Sequence, residues 1–290
     1  MTIVKSGLIQ ASIAADTGES CQVNKDKTVE KHLAFIEQAG NQGVQILCLQ
    51  ELFNGPYFCP SKDPKWFDIA ESIPDGPTTR LVQEYAQKFQ MAIVSPIFEK
   101  DPSGEYFNTA AVIDADGSFL GKYRKLHIPK AKGHQHNFEY YYFKPGDLGF
   151  PVFKTAYATI GVYICFDRHF PEGARMLGLN GAQIVYIPSA TWVSKSQYIW
   201  NVEQPALAVA NAYFVGTINR VGMEGPWNLG RFYGSSYFVD PHGKIFAQAC
   251  EDKDELLVAD LDLDQVEEAR EAWQWYDERR PELYAGLSAG

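Results

Sequence analysis

The sequence is poor in cysteine, and its cysteines are not arranged in pairs. There are five, far apart and without a CxxC motif: Cys21, Cys48, Cys59, Cys165 and Cys250. An odd number at such spacings excludes a disulfide framework and a zinc ribbon. Because structural disulfides mark oxidising compartments, this pattern predicts a protein of a reducing environment.

Long hydrophobic runs are also missing. The sequence contains no stretch of about 18 apolar residues of the kind that spans a membrane. Residues 1–15 alternate polar and apolar types instead of forming the apolar core of a signal peptide. No Asn-x-Ser/Thr glycosylation sequon occurs. We therefore expect a soluble, cytoplasmic protein with no membrane partner.

An excess of positive charge is lacking as well. Lysine and arginine total 26 against 36 aspartates and glutamates, which gives a formal net charge of −10 at pH 7. A surface of this sign repels phosphate backbones, so we exclude nucleic acid as a partner. It also repels anionic small molecules at long range, so a substrate carboxylate has to meet a locally placed cation.

The remaining composition is that of a globular protein: of 290 residues, 46% are hydrophobic and 21% are charged. Apolar runs of strand length alternate with helical patterns, and hairpins follow. The predicted strands cover residues 4–12, 44–50, 91–98, 106–113, 119–123, 159–165, 184–188, 213–219, 235–239, 245–249 and 256–261, and the predicted helices cover 25–40, 78–89, 171–180 and a segment ending near 211. This order predicts a layered α/β protein in which residues 1–290 form one domain.

Two segments do not follow the alternation. Residues 130–151 are polar and aromatic with little periodicity, too long for an ordinary connection, so we expect them at the mouth of a site. They include His134 and His136, but no second metal-binding motif accompanies these histidines, and we predict no metal site. The charged tail, residues 262–290, begins as a helix, and its Trp273, Trp275 and Tyr276 need a cover.

Cys165 points most clearly to chemistry. It ends the apolar run 160–164, and Pro171 and Glu172 begin a helix shortly after it. A side chain at such a strand-to-helix elbow faces outward, and the backbone N–H groups that follow point into the same space, as an oxyanion hole requires. The alternative is a buried structural cysteine, which is our interpretation of Cys48 inside its strand.

A cysteine nucleophile needs a base or a cation, because a thiol with a pKa of about 8.5 is only a few per cent thiolate at neutral pH. His127 and His169 would each form a Cys–His dyad. Glu51 and Lys125, each near the end of a predicted strand, would instead supply a base and a cation. Spacing alone does not choose between these pairs, and a solvated carboxylate and an exposed lysine are the structural alternatives.

Three segments together resemble the signature segments of the nitrilase superfamily, the carbon–nitrogen hydrolases. They are Leu49-Gln-Glu-Leu-Phe53, Tyr123-Arg-Lys-Leu-His-Ile-Pro129 and Ile164-Cys-Phe-Asp-Arg-His-Phe-Pro-Glu172. Glu139, within the segment 138–146, resembles a further carboxylate of that family. The resemblance runs from residue 4 to about residue 284. It implies a four-layered α-β-β-α sandwich without a cofactor, which assembles as a homodimer or a higher homo-oligomer with the tail 262–290 in an interface.

The resemblance also implies a mechanism of acyl transfer to Cys165. Glu51 would take the thiol proton, and Lys125 with the backbone N–H of Phe166 would stabilise the oxyanion. Glu51 would then return its proton to the departing ammonia and activate the water that cleaves the acyl-enzyme. Glu139 would orient Lys125.

We expect a small-molecule substrate, and further segments narrow the choice of that substrate. Residues 70–80, 94–97, 127–129, 219–222 and 232–237 resemble β-ureidopropionases, which hydrolyse N-carbamoyl-β-alanine, whereas residues 51–59 and 170–175 also resemble N-carbamoylputrescine amidases. We expect His127, in one of these segments, beside the substrate. Arg168 suits a bidentate clamp for a substrate carboxylate, and its structural alternative is an ion pair with Asp167 or Glu172. The alternative of a different class is a non-catalytic interaction protein with the same fold.

Overall fold

The computed structural model describes residues 2–15, 18–130, 137–193, 197–227 and 229–288. Its strands are β1 (Ile3–Gln10), β2 (Ile46–Leu49), β3 (Ala92–Lys100), β4 (Tyr106–Ile113), β5 (Phe119–Arg124), β6 (Val152–Lys154), β7 (Thr159–Val162), β8 (Ile184–Pro188), β9 (Phe214–Ile218), β10 (Val221–Gly222), β11 (Phe232–Tyr233), β12 (Tyr237–Val239), β13 (Ile245–Gln248) and β14 (Glu255–Asp262). Its α-helices are α1 (Cys21–Asn41), α2 (Pro77–Phe89), α3 (Glu139–Tyr142), α4 (Pro171–Leu179), α5 (Gln197–Asn211) and α6 (Asp264–Trp273). Short 3-10 turns cover Pro64–Ile69, Cys165–His169, Pro281–Leu283 and Ala285–Ser288.

Two six-stranded sheets form the centre of the fold. The first has the strand order β14-β1-β2-β3-β4-β5, and the second has the order β13-β12-β9-β8-β7-β6. In the first sheet β1, β2 and β3 are parallel neighbours, while β14, β4 and β5 pair antiparallel at the two edges. In the second sheet β7, β8 and β9 are parallel, with β6, β12 and β13 antiparallel outside them. The two sheets therefore follow the same plan.

The two sheets pack face to face. Because successive side chains of each strand point to opposite faces, one face of each sheet lies against the other sheet and the opposite face lies against helices. On β2, Ile46 and Cys48 belong to the core between the sheets. The side chain of Leu47 points to the outer face and packs against apolar residues of the helices there. The hydroxyl groups of Ser6 on β1 and Tyr186 on β8 lie 2.7 Å apart and form a buried hydrogen bond between the two sheets.

Helices cover the outer face of each sheet. The first sheet is covered by α1 and α2, and the second by α4 and α5, through the buried residues Ile36, Ala39, Val82 and Ala86 and the buried residues Ala174, Leu177, Leu207 and Ala208. The layers are α-β-β-α, which confirms the predicted sandwich. In the described part of the chain, no helix combines the length and the apolar composition needed to cross a bilayer.

Two differences from the predicted elements matter for the site. The strand predicted over 159–165 ends at Val162, because Cys165 adopts a φ of 49°, in the left-handed region that a strand does not contain. The aromatic segment 130–151 includes the helix α3, which four residues are too few to reveal as a periodic pattern. His134 and His136 lie outside the described residues.

The tail begins with the predicted helix, and only part of its aromatic cluster is covered. The hydroxyl of Tyr276 donates a 2.6 Å hydrogen bond to the carbonyl oxygen of Asn211, and the guanidinium of Arg175 lies 5.1 Å from the centre of the Tyr276 ring. Trp273 stacks on Trp275 with the ring centres 5.2 Å apart, yet Trp273 is 56% exposed. The chain itself therefore covers Tyr276 but not Trp273.

Candidate active site

The ends of strands from both sheets carry the candidate residues. Glu51 follows β2 and Lys125 follows β5 in the first sheet, while Cys165 follows β7 in the second. Asn108 on β4 contacts the first two: its Nδ2 donates to Glu51 Oε1 at 2.7 Å, and its carbonyl oxygen accepts the Lys125 N–H at 2.9 Å. Strand β4 therefore fixes the relative positions of Glu51 and Lys125, and our sequence analysis missed Asn108.

The Lys125 ammonium lies between two carboxylates. Its Nζ is 2.9 Å from Glu51 Oε1 and 2.6 Å from Glu139 Oε2. The side chains of Lys125 and Glu51 are fully buried, and that of Glu139 is 2% exposed. Burial lowers the pKa of Lys125, but the charges of Glu139 and Glu51 outweigh burial and raise this pKa well above its usual value. Lys125 is therefore a cation at any working pH.

The second oxygen of Glu139 is held by a tyrosine. The Tyr57 hydroxyl donates to Glu139 Oε1 at 2.7 Å. Burial first, and then the charge of Glu139, raise the pKa of Tyr57 well above its usual value, so this side chain remains a hydrogen-bond donor. Tyr57 lies in the segment 51–59 that resembles N-carbamoylputrescine amidases, but nothing in the sequence marks it as a partner of Glu139.

The two oxygens of Glu51 differ in their hydrogen bonds. Oε1 accepts from Lys125 and Asn108, whereas the buried Oε2 accepts no hydrogen bond from the described residues. A buried acceptor without a donor costs about 1–3 kcal/mol, a cost that a donor entering the site would relieve. Oε2 is chemically suited to take a proton from a group that enters the site.

Cys165 is the first residue of the 3-10 turn, and its side chain is buried at the elbow. The residue is 7% exposed, and its φ of 49° costs about 1–2 kcal/mol in a residue other than glycine. Burial, followed by the charge of Glu51, raises the pKa of the thiol to about 12, although Lys125 and Arg168 act in the lowering direction. The thiol is therefore protonated at neutral pH and needs a base in order to become a nucleophile.

The backbone after Cys165 supplies N–H groups. The first N–H groups of a helical turn have no partner within it, and Phe166 is the second residue of this turn. Its half-buried ring contacts His169 and Phe170, with ring centres 5.1 and 5.7 Å apart. Phe166 thus follows Cys165 directly in this turn, and the oxyanion role of its N–H stays a prediction.

Arg168 is buried and already bound. Its Nη1 donates to the Cys165 carbonyl oxygen at 2.9 Å and lies 3.8 Å from the Cys165 sulfur. Its Nε is 3.2 Å from Glu203 Oε2 on α5, close enough for an ion pair but not aligned for a hydrogen bond. The structural alternative predicted an ion pair with Asp167 or Glu172. That pairing was wrong, because α5 brings Glu203 to the guanidinium, a long-range contact that local spacing does not reveal.

Both candidate histidines contact carboxylates. His127 Nδ1 lies 2.7 Å from Asp167 Oδ1, and its ring stacks on Phe170 with the centres 3.7 Å apart. His169 Nδ1 lies 2.6 Å from Glu203 Oε1. Among the described residues, neither imidazole forms a hydrogen bond with the Cys165 thiol. Of the charged groups, Glu51 has the largest effect on the pKa of this thiol.

A buried ion pair that our sequence analysis missed holds the loop after Glu51. Arg220 Nη2 donates to the carbonyl oxygens of Glu51, Leu52 and Gly55 at 2.9, 2.6 and 2.9 Å. Its Nη1 is 2.7 Å from Glu224 Oε1, and Glu224 Oε2 accepts the backbone N–H of Tyr57 at 2.6 Å. The only signal in the sequence was the family-like segment 219–222, which assigned no role to Arg220.

Aromatic rings surround Tyr57. Its ring centre lies 6.0 Å from that of Trp192 and 6.1 Å from that of Phe232.

Within the ranges that the structure describes, no group of three His, Cys, Asp or Glu side chains is placed to hold a metal ion. The described site therefore offers acid, base and thiol chemistry beside an apolar wall.

Comparison with known proteins agrees with this arrangement. The family model "Carbon-nitrogen hydrolase" matches residues 7–271. A β-ureidopropionase of Arabidopsis thaliana is 40% identical over an alignment 302 positions long, which covers 99% of this chain and 73% of that protein. An N-carbamoylputrescine amidase of Solanum lycopersicum is 38% identical over 265 residues, 87% of each chain.

A solved structure shows the same fold. The crystal structure of a carbon–nitrogen hydrolase from Helicobacter pylori G27 has a TM-score of 0.89, with 34% identity and 98% of each chain covered. The superfamily that the motifs indicated is thereby confirmed. The chain belongs to the carbon–nitrogen hydrolase family and is a hydrolase of the nitrilase superfamily.

Proposed function

We propose that the protein hydrolyses N-carbamoyl-β-alanine, or a related N-carbamoyl amino acid, to the amino acid, CO2 and ammonia through an acyl-enzyme on Cys165. One observation carries the proposal: the charge of the fully buried Glu51 acts on the pKa of the protonated Cys165 thiol, and Glu51 Oε2 accepts no hydrogen bond from the described residues. The similarity to β-ureidopropionase and N-carbamoylputrescine amidase supports an N-carbamoyl substrate.

The first half-reaction forms the acyl-enzyme. Glu51 Oε2 takes the thiol proton, and the sulfur attacks the ureido carbonyl carbon. Lys125 Nζ and the Phe166 N–H stabilise the oxyanion, and Glu139 keeps Lys125 in place through its 2.6 Å contact. The protonated Glu51 gives its proton to the leaving nitrogen, so ammonia departs and the carbonyl carbon stays bonded to sulfur.

The second half-reaction uses the same base. Glu51 takes a proton from water, and the hydroxide attacks the thioester-like carbonyl carbon. The C–S bond breaks, and the sulfur recovers the proton from Glu51. The product is an N-carboxylated amino acid, a carbamate, which loses CO2 to give the free amino acid.

Arg168 is proposed to contact the substrate carboxylate with one nitrogen only. Its Nε faces Glu203 and its Nη1 binds the Cys165 carbonyl oxygen, whereas Nη2 has no hydrogen-bond partner among the described residues. This arrangement supports a single charge-assisted hydrogen bond instead of the bidentate clamp expected from the sequence. We place His127 beside the substrate as well, because its side chain is 31% exposed next to the elbow.

N-carbamoylputrescine is the second candidate substrate, favoured by the 38% identity to an amidase of that name. Its free end is an amine, so Arg168 would repel it. Ammonia release from N-carbamoyl-β-alanine, N-carbamoylputrescine, N-carbamoyl-D-amino acids and simple nitriles decides between the two. The proposal requires the highest kcat/KM with N-carbamoyl-β-alanine or another N-carbamoyl amino acid. A preference for N-carbamoylputrescine replaces it with the second candidate, and no turnover of any member supports the non-catalytic alternative.

We also propose that the single domain forms a homodimer or a higher homo-oligomer in the cytoplasm. Large apolar side chains are exposed on α5 and in the tail, among them Tyr198 at 78% and Trp273 at 56%. An apolar groove of about 610 Å³, lined by Pro205, Val209 and Trp275 among others, lies between α5 and the tail. Light scattering on the purified protein tests this: a monomer at micromolar concentration contradicts it. The five free cysteines support a reducing compartment.

A further inference from the structure

The side chain of Asp167 accepts four hydrogen bonds at the junction of the two sheets. Oδ1 accepts the backbone N–H of His127 at 2.9 Å and contacts His127 Nδ1 at 2.7 Å. Oδ2 accepts the Tyr123 hydroxyl at 2.7 Å and the backbone N–H of Ile164 at 3.2 Å. The carboxylate is fully buried, so each of these bonds is made away from bulk water.

These partners have a regular relation to the proposed catalytic residues. Tyr123 stands two residues before Lys125 and His127 stands two residues after it. Ile164 immediately precedes Cys165. Asp167 therefore binds the chain on both sides of Lys125, in the first sheet, and the residue next to the thiol, in the second sheet.

We propose that Asp167 is a positioning residue that sets the separation between the Lys125 ammonium and the Cys165 sulfur. This rests on the proposed roles of Lys125 and Cys165, but it adds a residue that neither makes nor breaks a bond. Lys125 acts on the charge of the thiol, and an electrostatic contact weakens as the two groups separate. A second contact between these segments, the Tyr123 ring against the Tyr163 ring, has its centres 6.4 Å apart and lacks the direction of a hydrogen bond.

The arrangement also explains why Asp167 itself is not a base for the thiol. All four of its hydrogen bonds come from the Lys125 segment and from the elbow, two to each oxygen. A carboxylate with two hydrogen bonds to each oxygen holds geometry, whereas Glu51 Oε2, which accepts no hydrogen bond from the residues that the structure describes, can accept a proton. Asp167 and Glu51 therefore have different tasks.

The test compares Asp167→Asn with Tyr123→Phe. Asparagine keeps the size of the side chain but replaces one acceptor oxygen by a donor, and Tyr123→Phe removes only the donor to Oδ2. Because a displacement of about 1 Å at a reacting centre costs about 100-fold, Asp167→Asn is expected to lower kcat by about that factor with KM changed less than about threefold. Tyr123→Phe is expected to lower kcat about tenfold by the same cause, and adding it to Asp167→Asn should cost little more, since both act on one contact.

Alkylation of Cys165 by iodoacetamide at pH 8, followed by peptide mass mapping, gives a readout that needs no substrate. If Lys125 moves away, the pKa of the thiol rises, and a rise of about one unit makes alkylation about tenfold slower. A residue that only stabilised the fold would lower the melting temperature without slowing alkylation of the folded protein.

Glu71→Gln is the matched control. Glu71 is a buried carboxylate that binds Lys25 at 2.5 Å and the Thr78 N–H at 2.8 Å, far along the chain from both catalytic segments. It should lose stability while kcat and the alkylation rate stay within twofold of wild type. Equal kcat and equal alkylation in folded Asp167→Asn overturn the proposal. If that variant does not fold, equal rates in Tyr123→Phe overturn it. Slower alkylation in a protein that releases ammonia from no substrate keeps the positioning role and removes the proposed function instead.

Discussion

Arg168 Nη1 donates a 2.9 Å hydrogen bond to the carbonyl oxygen of Cys165. The backbone of Cys165 is held in the left-handed region at a φ of 49°, and this bond is one of the contacts that keep it there. The ion pair with Glu203 and the face of Trp200, whose ring centre lies 5.5 Å from the guanidinium carbon, hold Arg168 in turn. An arginine that sequence reasoning assigned to the substrate thus also supports the elbow.

Substitution of Arg168 separates these two tasks. We expect Arg168→Gln to lower kcat/KM about tenfold more for N-carbamoyl-β-alanine than for an uncharged alkylurea, because one charge-assisted hydrogen bond to the carboxylate contributes about 1.5 kcal/mol. A smaller loss common to both substrates reports the support of the elbow. Steady-state kinetics on the two substrates measures the difference. Equal losses would show that Arg168 acts only on the elbow.

Glu51→Gln keeps the shape of the side chain but removes its ability to take a proton. Because the proposed mechanism uses this one carboxylate in both half-reactions, we expect kcat to fall by more than the roughly 10²–10⁴-fold that a general base usually contributes. His169→Ala is the matched comparison and should retain most of the activity, since His169 contacts Glu203 instead of the thiol. Abolished turnover in His169→Ala or His127→Ala, with activity kept in Glu51→Gln, would favour the Cys–His dyad.

Arg220→Lys tests the buried support of the Glu51 loop. Lysine keeps the charge but cannot bind three carbonyl oxygens and Glu224 at once, so buried acceptors lose their donor at a cost of about 1–3 kcal/mol each. We expect a lower free energy of unfolding by at least about 2 kcal/mol and a lower kcat, measured by urea titration and ammonia release. Arg231→Lys, at a 40% exposed side chain, is the control and should change neither. If the two variants have the same free energy of unfolding and the same kcat, Arg220 does not support the Glu51 loop.

His32 makes stability depend on pH. Burial lowers the pKa of this fully buried histidine in α1 to about 4, against a usual value of 6.5. The folded state resists protonation that the unfolded state accepts below pH 6.5, so stability is full above that pH and declines as pH falls towards 4. Between pH 7 and pH 5, we expect wild type to lose about 2 kcal/mol more than His32→Gln.

Urea unfolding at the two pH values measures this difference. His242→Gln is the control, because His242 lies exposed in the turn between β12 and β13. Its loss of stability between pH 7 and pH 5 should equal that of wild type. The same slope in His32→Gln and wild type would contradict the assignment of the pH dependence to His32.

The sequence was sufficient for the layered fold and for bringing Glu51, Lys125 and Glu139 together, while their catalytic roles stay predictions. Strands such as Tyr106–Ile113 and Ile184–Pro188 have the predicted bounds, since a buried strand between turn residues leaves a clear apolar run. Lys125 Nζ lies 2.9 Å from Glu51 Oε1 and 2.6 Å from Glu139 Oε2. The family resemblance implied that these three side chains lie together.

The partners of these residues could not be read from the sequence. Arg220 is 169 residues from Glu51, and Glu203 is 35 residues from Arg168, so no spacing rule connects them. Asn108 and Tyr57 are ordinary polar residues in a strand and a loop until the fold places them against Glu51 and Glu139. Long-range pairing of buried polar groups is decided by the packing of the sheets, which local patterns do not contain.

Ammonia release by Cys165→Ala, compared with Cys48→Ala, tests the central claim most directly. Both cysteines are buried, but Cys48 lies within strand β2, whereas Cys165 lies at the elbow after β7 with a φ of 49°. We predict that Cys165→Ala folds and binds the N-carbamoyl substrate yet shows no turnover and no acyl adduct by intact mass, while Cys48→Ala loses stability and keeps the adduct. Turnover that survives in Cys165→Ala would contradict the account.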